Sequence, residues 1–554
     1  MTGRIQKIFD RIAEKAEKYS KSANKKKLIY ISIAVAIVVI LAVIFLSEEN
    51  IITGNGSKEY KTSDQLYFYM DSVKSLNPVI STDEDIYHIS KLIYESLFVQ
   101  DDTMTPQPLL AEKYEFDRQN RSVTLKLRSG VTWQDGKDFT ADDVKFTIEA
   151  FQAAGSSSLY DRQISAIEGS SVKSDDEIVI YFKDKNNMAL DLLTFPILPK
   201  HKFSSADSVK SIKDDFKPVG TGPYRYEKYD DTSYLKLEPY DDYYGEKAKN
   251  DITFSIIRGE KNLNKLVESS NLSLLFSKDP ERETKITKKG IKTVNFPANE
   301  VEYIGFNMKG AGTSKKRVRK AIAYAVDSKS IISECYYNSG MLNDNIYYPD
   351  YLGVNSEKDA YSYNENKAAV LLRKAGYKDR DGDGYLESAK GVKLTVNILV
   401  DSDNASRVSA AEYIKDSLDN LRIDTYIIKG DWNSYESKLK AGNYDIFLGG
   451  LKFADDVDMS VLLSGDGKDN FTGYSSAAMD RLLLKMRSGL SSEELRTTYK
   501  KIKKLSSDDL PYYCMLYRTY GAIRSPSLRG EVDPVFNDYY YGCEKWSCRY
   551  EVSQ

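Results

Sequence analysis

An acidic loop is the part of this sequence whose spacing most resembles a known chemical site. Residues 379–387 place aspartates at positions 1, 3 and 5 and glycine at position 6 of a calcium-type loop. Position 12 is Lys390, where such a loop carries a bidentate glutamate. A turn rich in aspartate and glycine is the simpler interpretation. We therefore assign no metal ligand from the sequence and leave calcium binding open.

Residues suited to catalysis are scarce. The chain has only two histidines, His88 and His201, so neither a multi-histidine metal centre nor histidine-based acid–base catalysis is expected. The sequence contains no Gly-x-Ser-x-Gly, His-Glu-x-x-His or Walker motif. We predict a protein that is not an enzyme and that needs no cofactor.

The composition indicates a large protein whose surface is mostly polar and whose N-terminal end is basic. The chain has 554 residues, of which 41% are hydrophobic and 29% charged, with a mean hydropathy of -0.49. Residues 1–27 carry nine lysines and arginines against three acids, a net charge of +6. Because the whole chain has a formal charge of -3, the remainder carries -9. An acidic body argues against a nucleic-acid partner.

A membrane anchor accounts for the basic end. Residues 28–46 are nineteen apolar or uncharged residues, which as a helix would span roughly 28 Å. Lysines precede this segment and Glu48 and Glu49 follow it, so the rest of the chain is expected on the extracytoplasmic face. A cleaved signal peptide is the alternative, disfavoured by the long charged leader. Residues 1–27 form a basic cytoplasmic leader, either an amphipathic surface helix or a solvated segment, and 47–63 form a linker.

Beyond residue 64, short β-rich runs alternate with amphipathic stretches, which is typical of an α/β protein. We predict strands at Val123–Leu127, Ile178–Phe182, Leu235–Leu237 and Leu394–Val400. We predict helices at Ala141–Ala153, Lys315–Val326, Asn364–Ala375, Ala405–Leu421, Ala477–Leu484 and Ser492–Leu505. Thr140 and Ser491 have the residue types expected at helix starts.

Several motifs occur in the order found in one protein family. They begin at Leu76 (LNP), Leu92 (LIYESLF), Pro108 (PLLAE), Leu125 (LKLRSGVTWQDGKDFTADDVKF), Val219 (VGTGPY), Tyr303 (YIGFN), Val318 (VRKAIAYAVD), Tyr444 (YDIFLGG), Phe471 (FTGY) and Met479 (MDRLL). Together they resemble the family 5 solute-binding proteins of ABC importers, the oligopeptide/dipeptide/nickel-binding class. The resemblance extends from about residue 64 to about residue 520, nearly all of the body beyond the linker.

The resemblance implies a two-lobed, periplasmic-binding-protein-like clamshell with an extra subdomain, in addition to the single N-terminal transmembrane helix. Lobe one would comprise residues 64–98, 219–302 and 511–554, the extra subdomain 99–218, and lobe two 303–510. The chain would cross between the lobes near 303–307 and again near 510–515. Two crossings permit closure about a hinge.

The resemblance also implies a ligand site between the lobes. In the peptide binders of this family, a carboxylate on lobe two meets the α-ammonium of the ligand, and Asp455 is at the matching position, with Asp456 next to it. Trp432 matches an aromatic position that lines the pocket, and Tyr160 matches a pocket tyrosine more loosely. The family usually has tryptophan where Leu451 stands, which weakens the transfer of ligand type. Taken alone, this acidic segment reads as a solvated loop, and Trp432 reads equally well as a structural residue.

The expected function is capture of peptides outside the membrane for delivery to an ABC permease and its ATPase subunits, by a monomer held at the cell membrane. A surface receptor, or a binder of another solute such as an oligosaccharide or metal chelate, is the alternative on the same fold; an extracellular enzyme is less favoured. Two of the four cysteines, Cys543 and Cys548, are close enough in sequence for a small disulfide, although buried thiols fit equally well and three pairings stay open.

Overall fold

A computed structural model describes residues 60–551, except for 64, 156–157, 185–189, 213–215, 258–261, 280–281, 283–284, 287–289, 357–360 and 455–456. Residues 62–549 form one compact unit. Among the described residues, no helix is both long and apolar enough to cross a membrane. The predicted anchor at 28–46, its leader and most of the linker lie outside the described residues.

The strands are β1 (Tyr60–Ser63), β2 (Gln65–Met70), β3 (Phe98–Gln100), β4 (Pro106–Pro108), β5 (Ala111–Asp117), β6 (Ser122–Leu127), β7 (Ile167–Ser174), β8 (Glu177–Phe182), β9 (Tyr224–Asp230), β10 (Tyr234–Pro239), β11 (Asp251–Ile256), β12 (Leu274–Ser277), β13 (Lys292–Phe306), β14 (Gly340–Met341), β15 (Thr395–Asp401), β16 (Asp424–Gly430), β17 (Ile446–Lys452), β18 (Tyr512–Arg524), β19 (Leu528–Arg529) and β20 (Ser547–Glu551).

The α-helices are α1 (Glu84–Ile93), α2 (Ala141–Ala154), α3 (Asp161–Ser165), α4 (Ala206–Val209), α5 (Leu263–Glu268), α6 (Lys316–Ala325), α7 (Ser328–Cys335), α8 (Glu365–Lys374), α9 (Ala405–Asn420), α10 (Trp432–Ala441), α11 (Ser460–Leu463), α12 (Ala477–Met486) and α13 (Ser492–Asp509). All six predicted helices and all four predicted strands are confirmed, with boundaries that differ by a few residues.

Two helix starts confirm the capping prediction. Thr140 and Asp143 form a capping box at α2, in which the Thr140 amide donates to the Asp143 carboxylate at 2.9 Å. Ser491 and Glu494 form the equivalent box at α13. Each box gives a side-chain partner to an amide that the first helical turn leaves unpaired.

The sheet of lobe one has the strand order β2–β11–β10–β9. Strands β2 and β11 run parallel, while β10 is antiparallel to both of its neighbours. In β2, Leu66, Phe68 and Met70 are buried and alternate with half-buried residues, so one face of the strand packs on the core. This alternation is the pattern expected of a strand with one face on the core.

The extra subdomain contains an antiparallel sheet in the order β5–β6–β8–β7. Helix α2 packs against β7 and β8 and buries Val144, Ile148 and Phe151. The β5–β6 hairpin turns between Asp117 and Ser122, which face each other in the ladder. The subdomain thus has its own sheet and its own covering helix.

One mixed sheet extends from the lobe-one segments into lobe two, in the order β12–β18–β13–β17–β15–β16, with β14 on β18. Its two longest strands, β13 and β18, pair antiparallel along most of their length. At one end they lie beside β12, and at the other end β13 lies beside β17. The ladder between β13 and β18 is irregular between Pro297 and Val301 and again after Glu302. The predicted crossings at 303–307 and 510–515 therefore fall at or beside the ends of two neighbouring strands, while the division into lobes and its boundaries stay predictions.

All four cysteines are free and buried, so the open question about disulfides is answered by buried thiols. Cys548 Sγ lies 3.2 Å from the Ser273 hydroxyl. Burial raises the pKa of the Cys543 thiol well above its ordinary value. These cysteines therefore pack in the core as free thiols and do not form disulfides with one another.

Candidate ligand site at the strand crossing

The loop after β17, which carries Asp455 and Asp456, is attached to β13 where the pairing of that strand with β18 is irregular. Asn299 Nδ2 donates to the Phe453 carbonyl at 2.7 Å, and the Phe453 amide donates to the Asn299 carbonyl at 3.1 Å. Asn299 lies between Pro297 and Val301, where the β13–β18 ladder is interrupted. The loop is therefore attached to β13 at the interruption of its ladder, just before the predicted crossing at 303–307.

A buried ion pair lies beside this attachment. Arg407, in the first turn of α9, donates from Nε to Glu302 Oε2 at 2.7 Å and from Nη2 to Glu302 Oε1 at 3.0 Å. The Tyr336 hydroxyl donates to Glu302 Oε2 at 3.2 Å. Burial by itself lowers the pKa of Arg407, but the charge and hydrogen bonds of Glu302 outweigh it and raise that pKa above its ordinary value. The pair fixes α9 on β13 next to the break in the ladder.

Aromatic side chains pack together near the same place. Phe453 and Tyr348 lie in the segment predicted as lobe two, and Phe536 lies in the C-terminal segment predicted as part of lobe one. The Phe536 ring centre lies 5.9 Å from that of Phe453 and 5.7 Å from that of Tyr348. Tyr517 of β18 lies 6.1 Å from Phe453. Because all four rings are buried, they form an apolar joint rather than a ligand surface in this conformation.

The extra subdomain also contacts lobe two directly. Arg118, at the β5–β6 turn, donates to Glu494 at 3.0 Å and to the Gly489 carbonyl at 3.0 Å. The amide of Leu352 donates to the Thr103 carbonyl at 2.9 Å. Residues in the segment predicted as the extra subdomain therefore contact residues in the segment predicted as lobe two.

The two aspartates predicted to bind the ligand, Asp455 and Asp456, lie outside the described residues. Their neighbour Asp458 accepts the Ser460 amide at 2.9 Å and lies 3.7 Å from Arg487. That third carboxylate is thus occupied by local contacts. The ligand role of Asp455 and Asp456 stays a prediction.

Trp432 is the first residue of α10, at the end of β16 in lobe two. Its side chain is 54% exposed, and its ring centre lies 5.8 Å from that of Tyr435. More than half of this large ring is open to solvent, which differs from the partly buried structural role considered from the sequence. The position suits a ligand contact, and that role stays a prediction.

Tyr160 is packed inside the protein. It is 2% exposed, stacks on Tyr87 at 5.6 Å and meets Phe151 edge-on at 5.5 Å. In this conformation Tyr160 contributes to the packing between the subdomain and lobe one. Its ligand role is untested and stays a prediction.

Sequence reasoning missed a cavity of about 340 Å³ in lobe one, beside the β12 and β18 ends of the long sheet. Glu84 pairs there with Lys278, whose ammonium lies 5.4 Å from the centre of the Tyr520 ring. His88, whose Nε2 is 3.9 Å from Glu84, contributes most to lowering the pKa of Glu84 to about 2, and Lys278 adds to it against the effect of burial. Burial lowers the pKa of His88 to about 4, so the imidazole is neutral at pH 7.

A second carboxyl group in this cavity, that of Asp85, has its pKa raised rather than lowered. Burial raises the pKa of Asp85 to about 6, although the Asp71 amide donates to it at 2.6 Å. The cavity thus combines a firmly ionised Glu84, an easily protonated Asp85 and aromatic walls. Its residues come from several distant segments, so no local pattern in the sequence could have identified it.

The described residues form an α/β fold in which two long paired strands, β13 and β18, run through the largest sheet. The family model described as bacterial extracellular solute-binding proteins, family 5 (middle), matches residues 105–472. The chain belongs to this family, as the motifs indicated.

Two curated relatives agree with this assignment, and a solved structure shares the fold. The chain is 26% identical over 490 residues to the oligopeptide-binding protein AppA of Bacillus subtilis (strain 168), covering 85% of this chain and 89% of the relative. It is 23% identical over 507 residues to the dipeptide-binding protein of Escherichia coli (strain K12), covering 86% and 93%. The unliganded open form of the periplasmic murein tripeptide-binding protein MppA superposes with a TM-score of 0.73 at 18% identity, covering 88% of this chain and 98% of that one.

Proposed function

We propose that this protein is the solute-capturing component of an ABC importer and that its solutes are peptides. Three of its relatives are named for binding oligopeptides, dipeptides and a murein tripeptide. The single structural observation that carries the proposal is that the loop after β17, which holds Asp455 and Asp456, is attached through Phe453 to Asn299 at the interruption of the β13 ladder, close to the predicted crossing. A ligand held by that loop acts directly on the part of the fold where the lobes are joined.

In the proposed mechanism the peptide binds lobe two first, and Asp455 accepts its α-ammonium. A carboxylate–ammonium hydrogen bond is charge-assisted and gains strength when closure removes water from the cleft. Trp432 offers an open aromatic face on the same lobe. In lobe one, Lys278 and Glu84 present both signs of charge beside aromatic rings, which suits a zwitterionic chain. The closed form is what a permease recognises.

We also propose that residues 28–46 anchor the protein in the cell membrane with the binding body outside, and that it acts as a monomer. The apolar run and the lysines before it support this topology. Protease treatment of intact cells tests it, since the body is expected to be digested while the leader is protected. Protection of the body would contradict the proposed topology.

The solute is tested by the melting temperature of the purified protein with di- to octapeptides, oligosaccharides and metal chelates. Peptides are expected to raise it, and N-acetylated versions of the same peptides are not, because a ligand stabilises only what it binds. A rise with a sugar or chelate alone would keep the family and replace the solute.

Variants in the loop after β17 test whether the Asp455 carboxylate binds the ligand's ammonium. Asp455→Asn is expected to weaken peptide binding at least tenfold. The matched control is Asp458→Asn, because that carboxylate is occupied by Ser460 and Arg487. Equal affinity of Asp455→Asn and the unchanged protein would show that Asp455 does not hold the ammonium.

A further inference from the structure

Four carboxyl groups meet in the loop that connects α8 to β15 in lobe two. They belong to Asp379, Asp381, Asp383 and Glu387, and one oxygen from each lies within 4.8 Å of the others. The sequence showed the three aspartates at positions 1, 3 and 5, but it lacked the glutamate expected at position 12. The structure supplies a glutamate from position 9 instead.

Backbone pairing brings Glu387 into the cluster. The Glu387 amide donates to the Lys378 carbonyl at 2.8 Å, and the Lys378 amide donates back at 3.0 Å. This short antiparallel bridge folds the loop on itself and leaves the Glu387 side chain beneath the aspartates. Gly384, with φ of +93°, occupies position 6, where the loop must turn sharply.

The Glu387 side chain has an unused acceptor. Glu387 is only 2% exposed, and its Oε2 accepts the Arg380 amide at 2.7 Å. Its Oε1 is buried and has no hydrogen-bond partner among the described residues. An unpartnered oxygen of a buried carboxylate is costly. A cation at the cluster would satisfy it, and this observation is independent of the clustering of acids.

Protein cations neutralise the cluster only in part. Lys393 Nζ lies 2.6 Å from Asp383, and Arg422 Nη1 lies 3.5 Å from Asp379. Four carboxylates therefore face these two cations, and both cations pair with acids that are more exposed than Glu387. An excess of negative charge is left near the buried oxygen of Glu387.

We propose that residues 379–387 bind one Ca²⁺ ion, with ligands from Asp379, Asp381, Asp383 and Glu387. Residue 385 stands at position 7, which supplies a backbone carbonyl in loops of this type. A set of carboxylate and carbonyl oxygens in an irregular arrangement suits Ca²⁺ better than Mg²⁺, which requires near-ideal octahedral geometry and keeps its waters. The ion fastens the α8–β15 connection in lobe two, and the proposal does not depend on the transported solute.

Calorimetric titration of the chelator-stripped, full-length protein with CaCl₂ tests this site. We expect one ion per chain, with a dissociation constant at or below about 1 mM. The melting temperature is expected to rise with Ca²⁺ and to respond at least tenfold more weakly to Mg²⁺. Absence of a calcium heat at about 5 mM, or equal binding of Mg²⁺, would overturn the assignment.

Two variants locate the ion. Asp381→Asn changes an exposed ligand and Glu387→Gln changes the buried one, and each is expected to weaken Ca²⁺ binding at least tenfold. Asp416→Asn, which removes an exposed carboxylate of α9 in the same lobe, is the matched control and should bind as the unchanged protein does. Full calcium binding by Asp381→Asn would overturn the proposal even if Glu387→Gln fails to fold.

Discussion

Arg407 and Glu302 are 105 residues apart in sequence and form a buried, two-point ion pair at the strand crossing. Their side chains are 12% and 3% exposed. The backbone of β17 leaves room for the guanidinium because residue 450 is glycine. A Cβ there would lie 2.2 Å from Arg407 Nη2. One charged contact thus holds α9 on β13, and Gly450 of β17 leaves the space that it needs.

Removing one partner of this pair is expected to destabilise the protein strongly. Arg407→Met leaves Glu302 buried without a counter-charge, and we expect a loss of about 3–5 kcal/mol in the free energy of unfolding. Adding Glu302→Gln should recover part of that loss, because the uncompensated charge is then gone. Urea unfolding of both single variants and the double variant measures the coupling.

An exposed ion pair provides the control for this prediction. Arg118 and Glu494 have side chains that are 54% and 43% exposed, so Arg118→Met should cost less than about 1 kcal/mol. If Arg407→Met costs no more than Arg118→Met, the buried pair does not hold the crossing together.

Close backbone contact at Gly220 predicts a second large loss of stability on substitution. A Cβ at this position would lie 1.8 Å from the Ile93 carbonyl oxygen, and the adjacent Gly222 amide donates to that same oxygen at 2.8 Å. Gly220→Ala must therefore push the backbone apart, and we expect a loss on the order of 3 kcal/mol. Gly169→Ala is the matched control, since a Cβ there has no neighbour within 4 Å and its φ is not positive. Similar melting temperatures for the two variants would refute the prediction.

The pH dependence of stability provides a third prediction, at Glu95. This side chain is 4% exposed, and its Oε1 accepts the hydroxyls of Tyr243 at 2.9 Å and Tyr244 at 2.7 Å. Burial raises the pKa of Glu95 to about 7 despite these hydrogen bonds. Between the ordinary pKa of 4.5 and pH 7 the folded state binds more protons than the unfolded state, so this group makes stability fall as pH rises.

Glu95→Gln removes this titration. Relative to the unchanged protein, the variant should gain stability on going from pH 4.5 to pH 8, by an amount on the order of 3 kcal/mol. Glu246→Gln is the control, because Glu246 is 60% exposed and only pairs with Lys545 at 3.5 Å. Parallel stability curves for Glu95→Gln and the unchanged protein in urea unfolding across this range would show that Glu95 ionises without cost.

The predicted helices and helix starts agree with the structure because their information is local. Thr140 and Asp143 lie in one turn, and the backbone between them determines how they meet. The same holds for Ser491 and Glu494. The order of the motifs, which also depends only on the linear chain, identified the family.

Features that depend on distant segments needed the tertiary structure. The pairing of Glu302 with Arg407 joins a strand to a helix more than a hundred residues later. The lobe-one cavity brings Glu84 beside Lys278, which lies 194 residues further along the chain. Residue types alone do not specify such partners, because any exposed lysine is an equally good candidate until the fold brings one close.

The loop at 379–387 shows both sides of this division within nine residues. The sequence by itself determined the three aspartates at alternate positions and the glycines between them. Only the folded chain showed that Glu387 occupies the place left open by Lys390, because the Lys378–Glu387 bridge turns that side chain inward. Spacing along the chain determines which residue types are near each other, whereas burial determines which of their oxygens are left without a partner.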